Sequence, residues 1–206
     1  AVLEKRFNSR YGGAAVTAQA ISGWLNGKSI PKQDKLRVLA AIVGLEPHDI
    51  AITADGKTAY VARTANADIA IVDLAEKKVT GQIVVGRWPR HLARSPDGTR
   101  LAVGTSGERG VTIVDLTTKS VLHQEQFMGL NVGHLAISKD GTQVYFPWMV
   151  YRNNAISAGN IRLGWVLASR IARMRIDIPA RREAMSLDPQ GKAIADVTGI
   201  DLTSDD

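Results

Sequence analysis

Three stretches decide the fold: ITADGKTAYVA at 52–62, RSPDGTRLAVG at 94–104 and ISKDGTQVYFP at 137–147. Their turn glycines, Gly56, Gly98 and Gly141, stand 42 and 43 residues apart. A second phrase keeps the same step, IAIVDLAEKKV at 69–79 and VTIVDLTTKSV at 111–121, with Asp73 and Asp115 again 42 apart. Short β-rich runs punctuated by Asp-Gly turns at a period of about 40–50 residues are the pattern of β-propeller blades. One four-stranded blade cannot bury both faces, so blades stack around a channel.

Within each blade the Asp-Gly pair is predicted to turn the first hairpin, where a positive φ is needed. Val-Asp-Leu closes the third strand, and Lys-Lys or Thr-Lys makes the turn into the fourth. The third blade departs from the pattern. Its first strands are HLAISKDG and TQVYFPWM, and its third is SRIARMRID, ending at Asp177, 62 residues after Asp115. The excess is an insertion at about 151–168, YRNNAISAGNIRLGWVLA, long enough to be a binding loop near the channel mouth. The stretch from Ala193 to Asp206 reads as the start of a fourth blade.

Before about Ile50 the pattern is helical. Val2, Leu3, Phe7 and Tyr11 line one side of a first amphipathic stretch, stopped by Gly12 and Gly13. Thr17 is a good N-cap for a short helix through Leu25, with Ala20, Ile21, Trp24 and Leu25 as its apolar stripe and Asn26-Gly27 as its stop. A third helix after Pro31 buries Leu36, Leu39, Ala40 and Val43. Two short helices around a tight turn, braced by a third, is the arithmetic of a helix-turn-helix.

Composition is that of an ordinary globular protein, 45% apolar and 22% charged. No apolar run approaches the ~20 residues of a membrane helix, so no membrane partner is expected. Neither is there a basic stretch before a short apolar core at the start, although residue 1 is Ala and leaves room for an upstream segment. Cysteine is absent, which excludes disulfides, thiolate metal sites and cysteine nucleophiles. The net charge of +6 is split evenly, residues 1–50 carrying seven Lys/Arg against four Asp/Glu and residues 51–206 nineteen against sixteen. The first fifty are thus the more basic per residue, compatible with nucleic acid without demanding it.

Two resemblances follow from these residues. RFNSRYGGAAVTAQAISGWLNGKSIPKQDKLRVLAAIVGLEP resembles the DNA-binding domain of lambda-repressor-like bacterial regulators, through its Trp-Leu-x-Gly and Ile-Pro-x-Gln-Asp-Lys-Leu elements. It lacks the family's helix before Val2 and the one after Glu46-Pro47. The resemblance implies that 17–25 is a recognition helix, with Thr17, Gln19 and Ser22 meeting phosphates and base edges and Lys28 and Lys32 holding phosphates. TADGKTAYVA with IAIVDLAEKKV, and HLARSPDGTRLAVG with VTIVDLTTKSV, resemble bacterial YVTN-type repeats, related to cytochrome d1-like propellers. That match specifies architecture far better than function.

The expected fold is therefore α+β by segregated segments: an incomplete helix-turn-helix module at 1–50, then at 51–206 an incomplete propeller of about three four-stranded blades. The two halves meet as an excerpt or as a joining of two partial domains.

A search for catalytic patterns leaves little. There is no nucleophile elbow, phosphate loop, His-Glu-x-x-His or haem-attachment motif. Asp73, Asp115 and Asp177 read as turn formers, and Trp88, Trp148 and Trp165 as packing between blades. His91 and His134 start the innermost strands of successive blades, and Thr198 stands where a third would fall, short of a three-ligand site. No catalytic residue, metal ligand or cofactor is assigned. The reading is a non-enzymatic helix-turn-helix module that binds duplex DNA, fused to a propeller scaffold with a protein partner on its face. The second reading is an exported propeller binding a haem, metal or small ligand. The compartment is cytoplasmic for the first reading and periplasmic for the second.

Overall fold

The computed structural model describes residues 5, 8, 9, 15–17, 19, 20, 47–179, 182–190, 192–194 and 197–203. Among them, three four-stranded antiparallel sheets carry the chain. The first is β1 (Pro47–Ile52), β2 (Thr58–Arg63), β3 (Asp68–Asp73) and β4 (Lys78–Val84), paired in chain order. The second repeats it with β5 (Pro89–Arg94), β6 (Arg100–Thr105), β7 (Gly110–Asp115) and β8 (Ser120–Gln126). The third is β9 (Ala136–Ile137), β10 (Gln143–Tyr151), β11 (Leu167–Arg175) and β12 (Glu183–Ser186). First strands sit side by side, β1 against β5 and β5 against β9, while β4 and β8 meet on the outside. That is blade stacking around an inner edge.

The repeated phrase folds as its chemistry dictates. Gly56, Gly98 and Gly141 have φ of 70°, 76° and 74°, a region where any side chain is strained. In the second blade the Ser95 hydroxyl donates to Asp97 Oδ1 at 2.6 Å, and the Thr99 N–H donates to the same oxygen at 3.0 Å. Those bonds, the Ser95 hydroxyl foremost, hold the Asp97 carboxyl down at about 2. Thr53 with Asp55 and Ser138 with Asp140 repeat the arrangement. Asp73 and Asp115 accept two backbone N–H groups each from the following turn, as turn formers do. Asp177 instead pairs with Arg175.

Alternation along the middle strands supplies both blade interfaces at once. Leu101, Val103 and Val114 face the first blade and pack with Tyr60, Ala62, Ile69 and Ile71. Ala102, Val111 and Ile113 face the third and pack with Val144, Phe146, Trp148 and Met174. A strand buried on both faces reads as a continuous apolar run, which RLAVG does.

Several expectations need correction. The segregated α+β class gives way to an almost wholly β architecture. Helix among the described residues amounts to α1 (Ala158–Arg162), a 3-10 turn at Thr64–Asn66 and single helical positions at Lys5, Asn8, Ser9, Gln19 and Ala20. No helix-turn-helix is found among the described residues, and residues 21–46 lie outside them. His48-Asp49-Ile50, placed by the sequence in the helical segment, belongs to strand β1, so the segment boundary expected near Ile50 falls inside that strand. Trp148 is buried, but Trp88 and Trp165 are 57% and 51% exposed and do not pack between blades. Residues 192–194 and 197–203 form no strand. They do lie against the third blade, with the Ser169 hydroxyl donating to Ile194 O at 2.5 Å and the His134 N–H to Thr198 O at 2.7 Å.

Candidate active site

The repeat places His48 and His91 near the start of the first two inner strands and His134 two residues before the third, each 43 residues from the next. In the first two blades this start is a bulge, with register shifting between Pro47 and Ile50 and between Pro89 and His91. A bulge re-aims side chains at a sheet edge. The rings come together as a ladder. His48 and His91 meet edge to face with centroids 5.1 Å apart, and His91 and His134 lie tilted at 4.5 Å. His48 and His91 are half-buried and His134 is exposed.

The first rung has a defined tautomer. His48 Nδ1 lies 2.9 Å from the Arg90 carbonyl oxygen, which can only accept, so Nδ1 carries the proton. In the neutral ring the lone pair is then on Nε2. Beside it the buried Asp49 carboxylate accepts the Leu92 N–H at 2.8 Å and the Ile50 N–H at 2.9 Å. The bond from Leu92 ties the first inner strand to the second beside the adjacent imidazoles, while the bond from Ile50 fixes the carboxylate on its own strand.

Three arginines at this end are matched by carboxylates. Arg63 is bound to Asp68, Arg87 to Glu108 and Arg182 to Glu125. The hydrogen bond from Arg87 keeps the Glu108 carboxyl below the usual carboxylate range. Arg90, one residue before the central histidine, has a buried Nε without a hydrogen-bond partner among the described residues.

Sequence reasoning paired His91 with His134 and missed His48, because residues 1–50 were assigned to the helical segment. The signal was the 43-residue step back from His91. Thr198 does approach the ladder, through its carbonyl rather than its side chain. A porphyrin cannot lie between imidazoles whose centroids are 4.5 Å apart. Among the described residues no group of three or more His, Asp or Glu is arranged to hold a metal ion.

Of the residues expected to contact DNA, Thr17 is exposed and its Oγ1 accepts the Ala20 N–H at 3.2 Å, as an N-cap does. Gln19 is exposed at a helical position. Ser22, Lys28 and Lys32 lie outside the described residues.

The family model for a lactonase with a seven-bladed β-propeller matches residues 34–146, over half of the chain and all of the first two blades. The chain belongs to the lactonase propeller family. The expectation of a non-enzymatic molecule is overturned by that membership, since the family is named for an enzyme. The match also begins inside the segment read as helix-turn-helix.

No curated protein sequence matches the chain. Among solved structures, Kuenenia stuttgartiensis hydrazine synthase is similar at 17% identity and a TM-score of 0.44, over 70% of this chain and 55% of that one. A functionally unknown protein from Desulfotomaculum acetoxidans DSM 771 is similar at 19% identity and a TM-score of 0.42, over 50% of this chain and 37% of that one. The lactonase propeller chain thus spans about half the length of the hydrazine synthase, and the two likenesses add nothing to the fold already described.

Proposed function

We propose that this propeller hydrolyses a cyclic ester at the histidine end of its inner edge. The observation that carries the reading is the ladder of His48, His91 and His134, delivered to one place by three successive blades. Membership of a family named for lactonases supplies the reaction class.

The chemistry the residues support is general base catalysis. His48 Nε2 takes a proton from water as the oxygen adds to the lactone carbonyl carbon, giving a tetrahedral oxyanion. Nδ1–H, held on Arg90 O, steadies the imidazolium that forms. The oxyanion collapses, the ring C–O bond breaks, and the departing alkoxide recovers the proton from Nε2. Lactone and water become a hydroxy acid, whose carboxyl then ionises. His91 and His134 line the approach, and Asp49 positions the first rung through its bonds to Leu92 and Ile50.

The test is acid release from a panel of γ- and δ-lactones, followed with a pH indicator on the full chain. Release above buffer is expected, and His48→Ala should lower kcat/KM by about 10²–10⁴. His123→Ala, on the outer strand β8 with its ring on Ile176 O, is the control and should leave the rate unchanged. No release from any lactone, or equal rates for the wild type and His48→Ala, would sink the proposal. Binding of duplex DNA through Thr17, Gln19, Ser22, Lys28 and Lys32 rests on the N-terminal sequence pattern, and the described residues add no support for it.

A further inference from the structure

The insertion between β10 and β11 is a built projection. The two strands pair over nine residues from Gln143↔Arg175 to Tyr151↔Leu167. Beyond them the Arg152 N–H donates to Val166 O at 2.8 Å and Asn154 Nδ2 to Trp165 O at 2.5 Å. Ser157 caps α1 by accepting the Asn160 N–H at 3.1 Å, and Asn160 Nδ2 donates to Ala155 O at 2.8 Å. The Trp165 N–H closes the loop on Asn160 O at 2.9 Å. Polar groups are thus spent inside the loop.

Its apolar groups are left outside. Ile156 is 75% exposed, and Tyr151, Ile161 and Trp165 are each close to half exposed. A cluster of this kind on a loop with satisfied backbone bonds marks a contact surface. The charges separate in the same way. From Gly141 to Ile176 the sequence holds no Asp or Glu. On β11 each arginine finds a carboxylate elsewhere: Arg170 with Asp188, Arg173 with Glu183 and Arg175 with Asp177. Arg152 and Arg162 on the projection have no ion pair among the described residues.

We propose that this tip docks onto an anionic lipid bilayer surface, with Ile156, Ile161 and Trp165 entering the headgroup boundary and Arg152 and Arg162 meeting lipid phosphates. Aromatic and aliphatic side chains flanked by arginines, without carboxylates, are the composition that such an interface selects. The exposed charges of the tip are Arg152 and Arg162 with no carboxylate beside them in sequence, which complements an anionic bilayer surface. The contact is peripheral and needs no span. No helix among the described residues is long and apolar enough to cross a membrane.

The experiment is co-sedimentation of the full chain with phosphatidylcholine vesicles, with and without one third phosphatidylglycerol. Binding to the anionic vesicles is expected, weakening as salt is raised. Arg152→Glu with Arg162→Glu should weaken it by at least about thirtyfold, what the loss of two cations alone is worth at such a surface. Ile156→Ser with Ile161→Ser and Trp165→Ser should abolish it, whereas Lys57→Glu with Lys119→Glu, in turns at the opposite end of the blades, should leave most of it. All these positions are exposed, and unchanged circular dichroism excludes misfolding. No sedimentation, or binding that the tip substitutions leave intact, overturns the proposal. So does retention of the tip on immobilised polyglutamate without binding to vesicles, which would assign it to an acidic protein.

Discussion

The first two blades and the third use the same turn and the same inner-edge histidine, yet they differ in how the sheet is laced. In the first two, β3–β4 and β7–β8 shift register at equivalent places, Ile71/Val72 and Ile113/Val114, and both inner pairs bulge at the histidine. In the third, β10 and β11 run nine pairs without a shift, and the inner strand shrinks to two residues. Pro147 explains the shrinkage. It occupies the position of Gly104, which pairs with His91 in the second blade, and it has no N–H to offer the inner strand. Only its carbonyl is used, by the Gly133 N–H at 2.9 Å. The repeat therefore tolerates loss of inner pairing provided that the turn and the interface between blades are kept.

That account can be broken most sharply at the interface. Phe146 of the third blade and Val103 of the second are equivalent, fully buried, and each packs toward the preceding blade. Phe146→Ala is expected to destabilise by about 3–5 kcal/mol in urea unfolding, against about 2 for Val103→Ala. Equal or reversed costs would show that the third blade is not held by this interface. The next largest effect tests the lacing of the inner strands. Asp49→Ala removes the carboxylate from the Leu92 and Ile50 amides and should cost about 2 kcal/mol, because the bond from the Leu92 N–H across the inner strands is lost. No counterpart exists where Leu92 and Leu135 take the same place in the later blades, so substituting those should not loosen the lacing in this way.

The smallest effect concerns the shared turn. Asp97 is held at about 2, below its ordinary value, so its stabilisation is complete above about pH 4 and disappears as the pH falls toward 2. Asp97→Asn should cost under about 1 kcal/mol at neutral pH, because the group is exposed to solvent. The gap to wild type should close on acidification, as read by thermal melts across that range. A gap that widened instead would put the stabilisation in some other group.

The blades could be read from residues that obey local rules. Asp-Gly needs a positive φ whatever surrounds it, and VTIVD is apolar enough to be a strand in any context. The inner edge was harder. His48-Asp49-Ile50 follows Glu46-Pro47, a combination that equally opens a helix, and only tertiary pairing, Pro47 with Arg63 and Ile50 with Val61, makes it a strand. Assigning it to the helical segment hid one rung of the ladder. The tautomer of His48 depends on a carbonyl 42 residues away, beyond the reach of any local pattern. Exposure misled in the other direction, since Trp88 and Trp165 carry the hydrophobicity of core residues and sit in solvent.

The unbroken β10–β11 ladder has a practical consequence. Nine uninterrupted rungs make a stiff mast, and the segment 152–159 at its crest is exposed throughout. That makes the hairpin crest a natural grafting point, where an epitope or affinity handle would be displayed without disturbing the histidines at its foot.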